Sequence, residues 1–317
     1  MTPALYGKRL LVVAGKGGVG RTTVSAALAL SASRAGKRVL LAQMRSPERL
    51  ARLLGGPEAR NEIGLLLPNL WAVNITPDTA LREYGTMVLR SAMIERAVLE
   101  NRLARAFIHA IPGVEDYSML GKVWFHTTEE VGGRPRFDLV VVDAPATGHV
   151  LTLLQIPGAI LEAVPEGPLT TSARSAYDLL RDPARSAAVL VTLAEDMPVN
   201  ETLELAAGLK AKVGLALGPV VVNQLYPPRF VTGPSRRALE ALPEAPAEAP
   251  GDDVLAPLLV RARIAMRRRA LNDVYLEKLG ASLSAPITQL PYLFAPEFGA
   301  VQLDDLSRRL EAQLAAL

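Results

Sequence analysis

The stretch Gly15–Thr23, which reads GKGGVGRTT, decides the fold of this chain. It follows a short apolar run, Arg9–Ala14 (RLLVVA), and leads into the alanine- and leucine-rich segment Arg21–Arg34. An apolar strand, a glycine-rich turn and a helix in this order are typical of a phosphate-binding loop, because glycines let backbone amides surround phosphate oxygens at a helix N-terminus. The spacing of two glycines, a basic residue and a threonine also fits such a loop. The sequence therefore predicts an anion-binding turn between a buried strand and a helix.

One position of the loop is unusual, because Arg21 stands where phosphate-binding loops carry a lysine. A guanidinium is larger and planar, so the exchange changes how the positive charge meets the phosphates. We expect binding to survive, since backbone amides supply much of it, and hydrolysis to weaken. Thr22 is placed to ligate Mg²⁺ through its hydroxyl, and Thr23 to contact an α-phosphate. The loop residues predicted to bind nucleotide are Gly15, Gly17, Gly18, Val19, Gly20, Arg21, Thr22 and Thr23.

Composition and charge exclude several classes of function. The 317 residues include 35 basic and 32 acidic side chains, and the net charge of +3 is too small to indicate a nucleic-acid partner. Cysteine is absent, which excludes disulfides, a zinc site built from thiolates and an arsenite site built from thiolates. The sequence has neither a window of about 18 apolar residues nor a signal-peptide pattern. We therefore expect a cytoplasmic protein.

Further apolar runs predict the rest of a sheet. They are continuous rather than alternating, which is typical of parallel strands covered by helices on both faces. The predicted fold is a single α/β domain over residues 1–317, with a doubly wound, mostly parallel sheet. The predicted strands after the first are Val39–Met44, Leu139–Asp143, Ala188–Leu193, Val220–Val222 and Ile287–Leu290.

Two segments interrupt this pattern. Residues of about 55–136 are too many for a simple crossover and predict a helical insertion. Its Met87 and Met93 fit ordinary core filling or an apolar groove for a peptide, and both interpretations stay open. Residues of about 233–253, rich in proline, alanine and glutamate, predict a mobile loop. The helix predicted next, Val254–Leu279, carries five arginines that suit a solvated face or an anionic partner.

The C-terminal segment, LDDLSRRLEAQLAAL, places five leucines on one helical stripe. We expect this helix to pack against the body of the protein. Peripheral contact with a membrane is the alternative, and the acidic residues of the segment argue against it. The leucines of the stripe are Leu303, Leu306, Leu310, Leu314 and Leu317.

Several longer blocks resemble one family. With the GKGG loop, they occur in the order seen in the arsenical-pump ATPases (ArsA) and the tail-anchored-protein targeting ATPases. The resemblance covers most of the chain and implies a P-loop ATPase that binds ATP or ADP with Mg²⁺ and switches as a dimer. The blocks are Pro112–Trp124 (PGVEDYSMLGKVW), Asp143–Pro157 (DAPATGHVLTLLQIP), Leu190–Leu205 (LVTLAEDMPVNETLEL) and Val220–Pro227 (VVVNQLYP).

The resemblance also implies roles for individual residues. Lys16, the second basic residue of the loop, would reach across the dimer to the partner's nucleotide. Asp143 would hold Mg²⁺ through a water, and the amide of Gly148 would face a γ-phosphate. Asn223 would hydrogen-bond adenine, and Pro291 would lie in the loop that closes over the base.

Two positions depart from the family pattern. Arg21 replaces the loop lysine, and Arg45 falls where the family has the aspartate that positions the attacking water. An arginine cannot accept a proton from water, whereas Glu48, close in sequence, offers a carboxylate. The cysteine pair with which the eukaryotic targeting factor joins its dimer through zinc is also missing. These departures predict a weak ATPase.

Three hypotheses follow. The leading one is an ATPase that acts as a nucleotide-dependent dimeric switch on an unidentified protein client, either as a homodimer or as a heterodimer. The second is a nucleotide-binding pseudo-ATPase subunit that forms a heterodimer with an intact ArsA-like paralogue. The third is a positioning ATPase that binds a membrane or DNA.

Overall fold

A central sheet of eight strands forms the core of the protein, described here from a computed structural model. The described residues are 2–44, 50–56, 62–80, 114–229, 233–241 and 255–317. The strands are β1 (Leu10–Gly15), β2 (Val39–Met44), β3 (Gly64–Leu67), β4 (Leu70–Ile75), the hairpin pair β5 (Glu130–Val131) and β6 (Arg134–Pro135), β7 (Leu139–Asp143), β8 (Ser186–Leu193), β9 (Leu217–Leu225) and β10 (Ile287–Pro291).

The large sheet runs β10-β9-β8-β1-β7-β2-β4-β3, and only β3 is antiparallel to its neighbour. The described helices are α1 (Arg21–Arg34), α2 (Leu50–Leu54), α3 (Val114–Thr128), α4 (Thr147–Ala163), α5 (Pro168–Arg181), α6 (Asp196–Gly208), α7 (Gly233–Ala241), α8 (Leu255–Ser282) and α9 (Ala300–Leu314). A short 3₁₀ turn spans Ala4–Gly7, and a π-helical turn, Leu209–Val213, extends α6.

Alternate residues of each central strand enter opposite halves of the core. Leu11 and Val13 pack in one cluster with residues of α1, α2 and α9. Leu10 and Val12 pack in a second cluster with residues of α3, α4, α5 and α6. Helices therefore cover both faces of a mostly parallel sheet, which confirms the predicted α/β P-loop fold. The predicted strand positions are confirmed as well.

The segment expected to form a helical insertion holds more strand than its composition predicted. Within residues 55–136, β3 and β4 join the sheet, and β4 pairs in parallel with β2 from Val39↔Leu70 to Met44↔Ile75. The apolar run LWAVNI is six residues long, a length typical of a buried strand and short for a helix. Residues 81–113, with Met87 and Met93, lie outside the described part of the chain.

The segment predicted to contain a mobile loop begins with a helix. Gly233–Ala241 forms α7, in which the Arg236 guanidinium lies 2.8 Å from the Glu240 carboxylate one turn later. Proline near the helix start and this i,i+4 pair favour a helix at these residues. Residues 242–254 lie outside the described part.

The C-terminal helix packs on α1, as predicted. Leu303, Leu306, Leu310 and Leu314 are buried, and Ser307 donates a 2.9 Å hydrogen bond to the Ala27 carbonyl. Leu317 was expected to belong to this stripe, but it lies beyond the helix end and is 65% exposed. Among the described helices, none combines the length and apolarity of a membrane span.

Truncating the buried stripe should destabilise the fold. Leu310 is fully buried between α9 and the core, so Leu310→Ala should lower the free energy of unfolding by about 2–5 kcal/mol. Leu317→Ala is the matched control and should change it by less than about 0.5 kcal/mol. Urea unfolding followed by circular dichroism measures both, and equal losses would contradict the packing of α9.

Candidate nucleotide-binding site

The glycine-rich loop joins β1 to α1 at the carboxyl edge of the sheet. Gly15 ends β1, and a Cβ there would overlap the carbonyl oxygen of Val191 in β8. Gly20 has φ +91°, and a Cβ there would overlap the side-chain amide of Asn223 in β9. Glycine is required at both positions because neighbouring strands approach the loop closely.

The middle of the loop is open. No atom lies within 4 Å of a Cβ built on Gly17 or Gly18, and Gly18 has φ +85°. Val19 is buried and holds the loop against the core. The first turn of α1 has no side-chain cap, so its backbone amides and the helix dipole favour an anion here.

Asp143, the last residue of β7, is bonded to α1. The Thr22 hydroxyl donates to one carboxylate oxygen at 2.7 Å, and the Ser25 hydroxyl to the other at 3.3 Å. Burial raises the pKa of Asp143, while the Thr22 bond, the Arg21 charge and the Ser25 bond oppose this shift. The predicted pair Thr22 and Asp143 is thus brought together. Ser25 was missed, although its position one turn after Thr22 places it on the same helix face.

Arg21 lies between the loop and the segment after β7. Its side chain is partly buried and donates to the carbonyl oxygen of Ala144. Burial lowers the pKa of Arg21, and the carboxylate of Asp143 raises it. The guanidinium therefore lies beside the predicted phosphate site and is hydrogen-bonded to the backbone. A lysine at this position would have a smaller cationic group.

Lys16 is paired within its own chain. Its ammonium lies 2.5 Å from a carboxylate oxygen of Glu201 in α6, and both side chains are about one third exposed. Glu201 was not singled out from the sequence, since 185 residues separate it from Lys16.

Gly148 lies in the first turn of α4, directly after the segment that follows β7. It is exposed, and a Cβ built on it meets no atom within 4 Å. Its amide therefore belongs to a second helix N-terminus beside Asp143, which is compatible with the expected γ-phosphate contact.

The ends of β9 and β10 form a further part of the site. Asn223 is buried and donates a 3.0 Å hydrogen bond to the Val19 carbonyl. Pro291 ends β10, and Tyr292 after it stacks on Tyr226 with ring centroids 5.4 Å apart. Phe294 lies 4.8 Å from Tyr292, centroid to centroid. Sequence reasoning missed this group because its rings come from two distant segments.

The donor set suits a hard cation bound with few protein ligands. Thr22 and Asp143 present oxygen atoms, which Mg²⁺ prefers, and Mg²⁺ usually takes further ligands from phosphates and water. Over the described ranges, no group of three His, Cys, Asp or Glu side chains forms a site made by protein alone. Thr23 lies in the first turn of α1, whereas Arg45 and Glu48 lie outside the described residues.

Replacing the buried carboxylate should stabilise the ligand-free protein. The pKa of Asp143 is raised in the folded protein. At pH values between the ordinary and the raised pKa, the carboxyl group is therefore protonated in the folded chain and ionised in the unfolded chain. The free energy of unfolding therefore falls as pH rises through this window. Asp143→Asn should remove this pH-dependent loss and so be more stable than wild type at neutral pH.

Urea unfolding without Mg²⁺, at a series of pH values, measures this difference. The advantage of Asp143→Asn should shrink as the pH approaches about 4. Asp305→Asn, at an exposed carboxylate that pairs with Arg309, is the control. Parallel curves for wild type and Asp143→Asn would contradict the raised pKa.

Known proteins resemble this chain in the same regions. A family model described as an anion-transporting ATPase matches residues 8–166, which contain the loop and Asp143. The ATPase BagA of Mycobacterium tuberculosis is 31% identical over 264 residues, covering 80% of this chain and 74% of that protein. The ATPase GET3 of Zygosaccharomyces rouxii is 27% identical over 256 residues, covering 68% of this chain and 72% of that protein.

The arsenical pump-driving ATPase of Escherichia coli is 27% identical over 276 residues, covering 76% of this chain and 44% of that longer protein. The matches agree with the parallel sheet, the glycine-rich loop and the Thr22–Asp143 pair. The chain therefore belongs to the ArsA family of P-loop, anion-transporting ATPases.

Proposed function

We propose that the protein binds ATP and Mg²⁺ at the loop between β1 and α1 and acts as a nucleotide-dependent dimeric switch with weak hydrolysis. The observation that carries this proposal is the Thr22–Asp143 hydrogen bond at 2.7 Å, next to an open glycine-rich loop and an uncapped helix N-terminus. Loop amides and the α1 dipole would hold the phosphates. Thr22 would ligate Mg²⁺ directly and Asp143 through a water, and the ion would neutralise charge on the phosphates.

The base would lie at the ends of β9 and β10. A carboxamide such as that of Asn223 has donors and an acceptor, so it can bond the Val19 carbonyl and adenine together. Tyr292 and Phe294 are exposed enough, at 37% and 60%, to offer ring faces to a base. Pro291 would set the direction of the segment that carries these rings.

Weak hydrolysis follows from the position of Arg21. Its contact with the Ala144 carbonyl directs one donor of the guanidinium to the backbone rather than to phosphate. Transition-state stabilisation depends on charge placed accurately on the transferring group, so an enlarged and redirected cation should lower the rate. Arg45 would lower it further, unless Glu48 supplies the carboxylate that positions water.

Dimer formation would require a change at Lys16. If this lysine contacts the nucleotide of a partner, its ammonium must leave Glu201, 2.5 Å away in the same chain. This partly exposed pair at the surface is weak enough for such an exchange, because surface ion pairs contribute about 0–1 kcal/mol. The partner would be a second copy or an ArsA-like paralogue, and the dimer would act on an unidentified protein client.

A second candidate function is a pseudo-ATPase subunit. The same observation, an arginine anchored at the loop-lysine position, favours it. Such a subunit would bind nucleotide, perform no chemistry and lend Lys16 to the site of an intact paralogue. Turnover by the purified protein alone separates the two candidates.

Restoring the loop lysine should raise turnover. We expect wild type to bind ATP with Mg²⁺ in calorimetry and to release phosphate slowly, and Arg21→Lys to release it at least about tenfold faster, because the compact ammonium reaches the transferring group. Arg308→Lys, on the exposed face of α9, is the control and should leave the rate unchanged.

If wild type binds nucleotide tightly but shows no turnover, the result favours the pseudo-ATPase subunit. Absent binding would overturn the proposed function altogether. A rate in Arg21→Lys equal to that of wild type would show that Arg21 does not limit hydrolysis.

Releasing Lys16 from its own chain should favour the dimer. In Glu201→Gln the charge that holds the ammonium is gone, so the dimer formed with a non-hydrolysable ATP analogue should tighten about two- to fivefold. Light scattering over a concentration series measures the dissociation constant. Glu204→Gln, an exposed carboxylate on the same helix, is the matched control. A weaker dimer in Glu201→Gln would instead place Glu201 in the interface.

A further inference from the structure

Four residues form a row across neighbouring strands beside the loop. Val13 of β1 pairs with Asp143 of β7, Asp143 with Gln43 of β2, and Gln43 with Asn74 of β4. Residues paired in parallel strands place their side chains on the same face of the sheet. Helix α1 covers that face. Val13 packs in the core cluster that contains α1, and so do the residues two positions before the other three members of the row, which lie on the same face of their strands.

Two residues of the row have buried amide atoms without a hydrogen-bond partner among the described residues. Gln43 is fully buried, and neither its amide oxygen nor its amide nitrogen has a hydrogen-bond partner among the described residues. The side-chain oxygen of Asn74 is also buried and has no hydrogen-bond partner among the described residues. Leaving such groups unbonded is costly, so a native fold that keeps them has a reason, such as a bound water or ion.

The position of Gln43 suggests that reason. The neighbour of Gln43 in the row, Asp143, already accepts bonds from Thr22 and Ser25 at the start of α1. The amide of Gln43 thus lies next to the carboxylate that would hold Mg²⁺ through water. An apolar residue would fill this core position without the cost of a buried amide.

We propose that Gln43 is a positioning residue for the water shell of the nucleotide-bound Mg²⁺, a role that rests on the proposed function. Its Oε1 accepts a hydrogen bond from a metal-bound water, and its Nε2 donates to a second water. A neutral amide performs this task without adding a second buried carboxylate beside Asp143. Gln43 also precedes Arg45 by only two residues and provides the acceptor that an arginine lacks.

The test compares nucleotide affinity with and without Mg²⁺. Calorimetry with a non-hydrolysable ATP analogue, in Mg²⁺ and in EDTA, gives the factor by which Mg²⁺ tightens binding. In Gln43→Leu this factor should fall about three- to tenfold, the effect of one lost hydrogen bond, while affinity in EDTA stays the same. The thermal midpoint of the ligand-free variant should equal or exceed that of wild type, because an unbonded amide has been removed.

The control is Thr288→Val. Thr288 of β10 is also buried, and its hydroxyl has no partner among the residues that the structure describes, but it lies outside the row. This variant should gain stability like Gln43→Leu and keep the full effect of Mg²⁺. An unchanged Mg²⁺ factor in Gln43→Leu would overturn the role of Gln43 and leave a purely structural amide. A wild-type protein that binds the analogue without any effect of Mg²⁺ would overturn this role and the metal part of the proposed function together.

Gln43→Glu gives an independent test. A carboxylate keeps the acceptor for a metal-bound water, so the Mg²⁺ factor should equal or exceed that of wild type. The ligand-free variant should melt at a lower temperature, because two buried carboxylates then lie side by side. A Mg²⁺ factor that falls as far as in Gln43→Leu would contradict the proposal, since a lost acceptor could not then be the cause.

Discussion

The hydrogen bond between Thr22 and Asp143 ties the first turn of α1 to the end of β7, and the rest of the site is arranged around it. The bond is possible because parallel strands end at one edge of the sheet, so the loop after β1 and the segment after β7 emerge together. The loop glycines then allow β8 and Asn223 to approach the backbone from the other side. A movement of β7 relative to α1 would therefore alter the metal site, the phosphate loop and the start of α4.

The basic residues of the loop face two different directions. Arg21 turns inward, to the backbone of Ala144 beside Asp143, whereas Lys16 turns outward to Glu201 of α6. The inward contact couples the loop to the segment that would respond to a γ-phosphate. The outward contact holds the lysine within its own chain. Under the proposed function, binding of nucleotide and association of subunits would act on the same short loop.

The site also carries a stability cost. Asp143 is buried with a raised pKa, and in the same row of the sheet amide atoms of Gln43 and Asn74 lack a partner in the described part of the chain. An apolar row would be more stable in the ligand-free protein. Polar groups are expected to be buried at the carboxyl edge of a parallel sheet where a charged ligand supplies their missing partners. The ligand-free fold is then less stable, and the same groups stabilise the bound ligand.

The sequence by itself determined the local elements: the continuous apolar runs became parallel strands, and the glycine pattern became the loop between β1 and α1. It also predicted Thr22 and Asp143 as site residues, which lie at the start of α1 and the end of β7, and the family resemblance added Asn223. Only the tertiary structure decided the contacts of Lys16 with Glu201 and the alignment of Gln43 with Asp143. These depend on strand register and helix packing between residues far apart in the chain, and local periodicity carries no information about either.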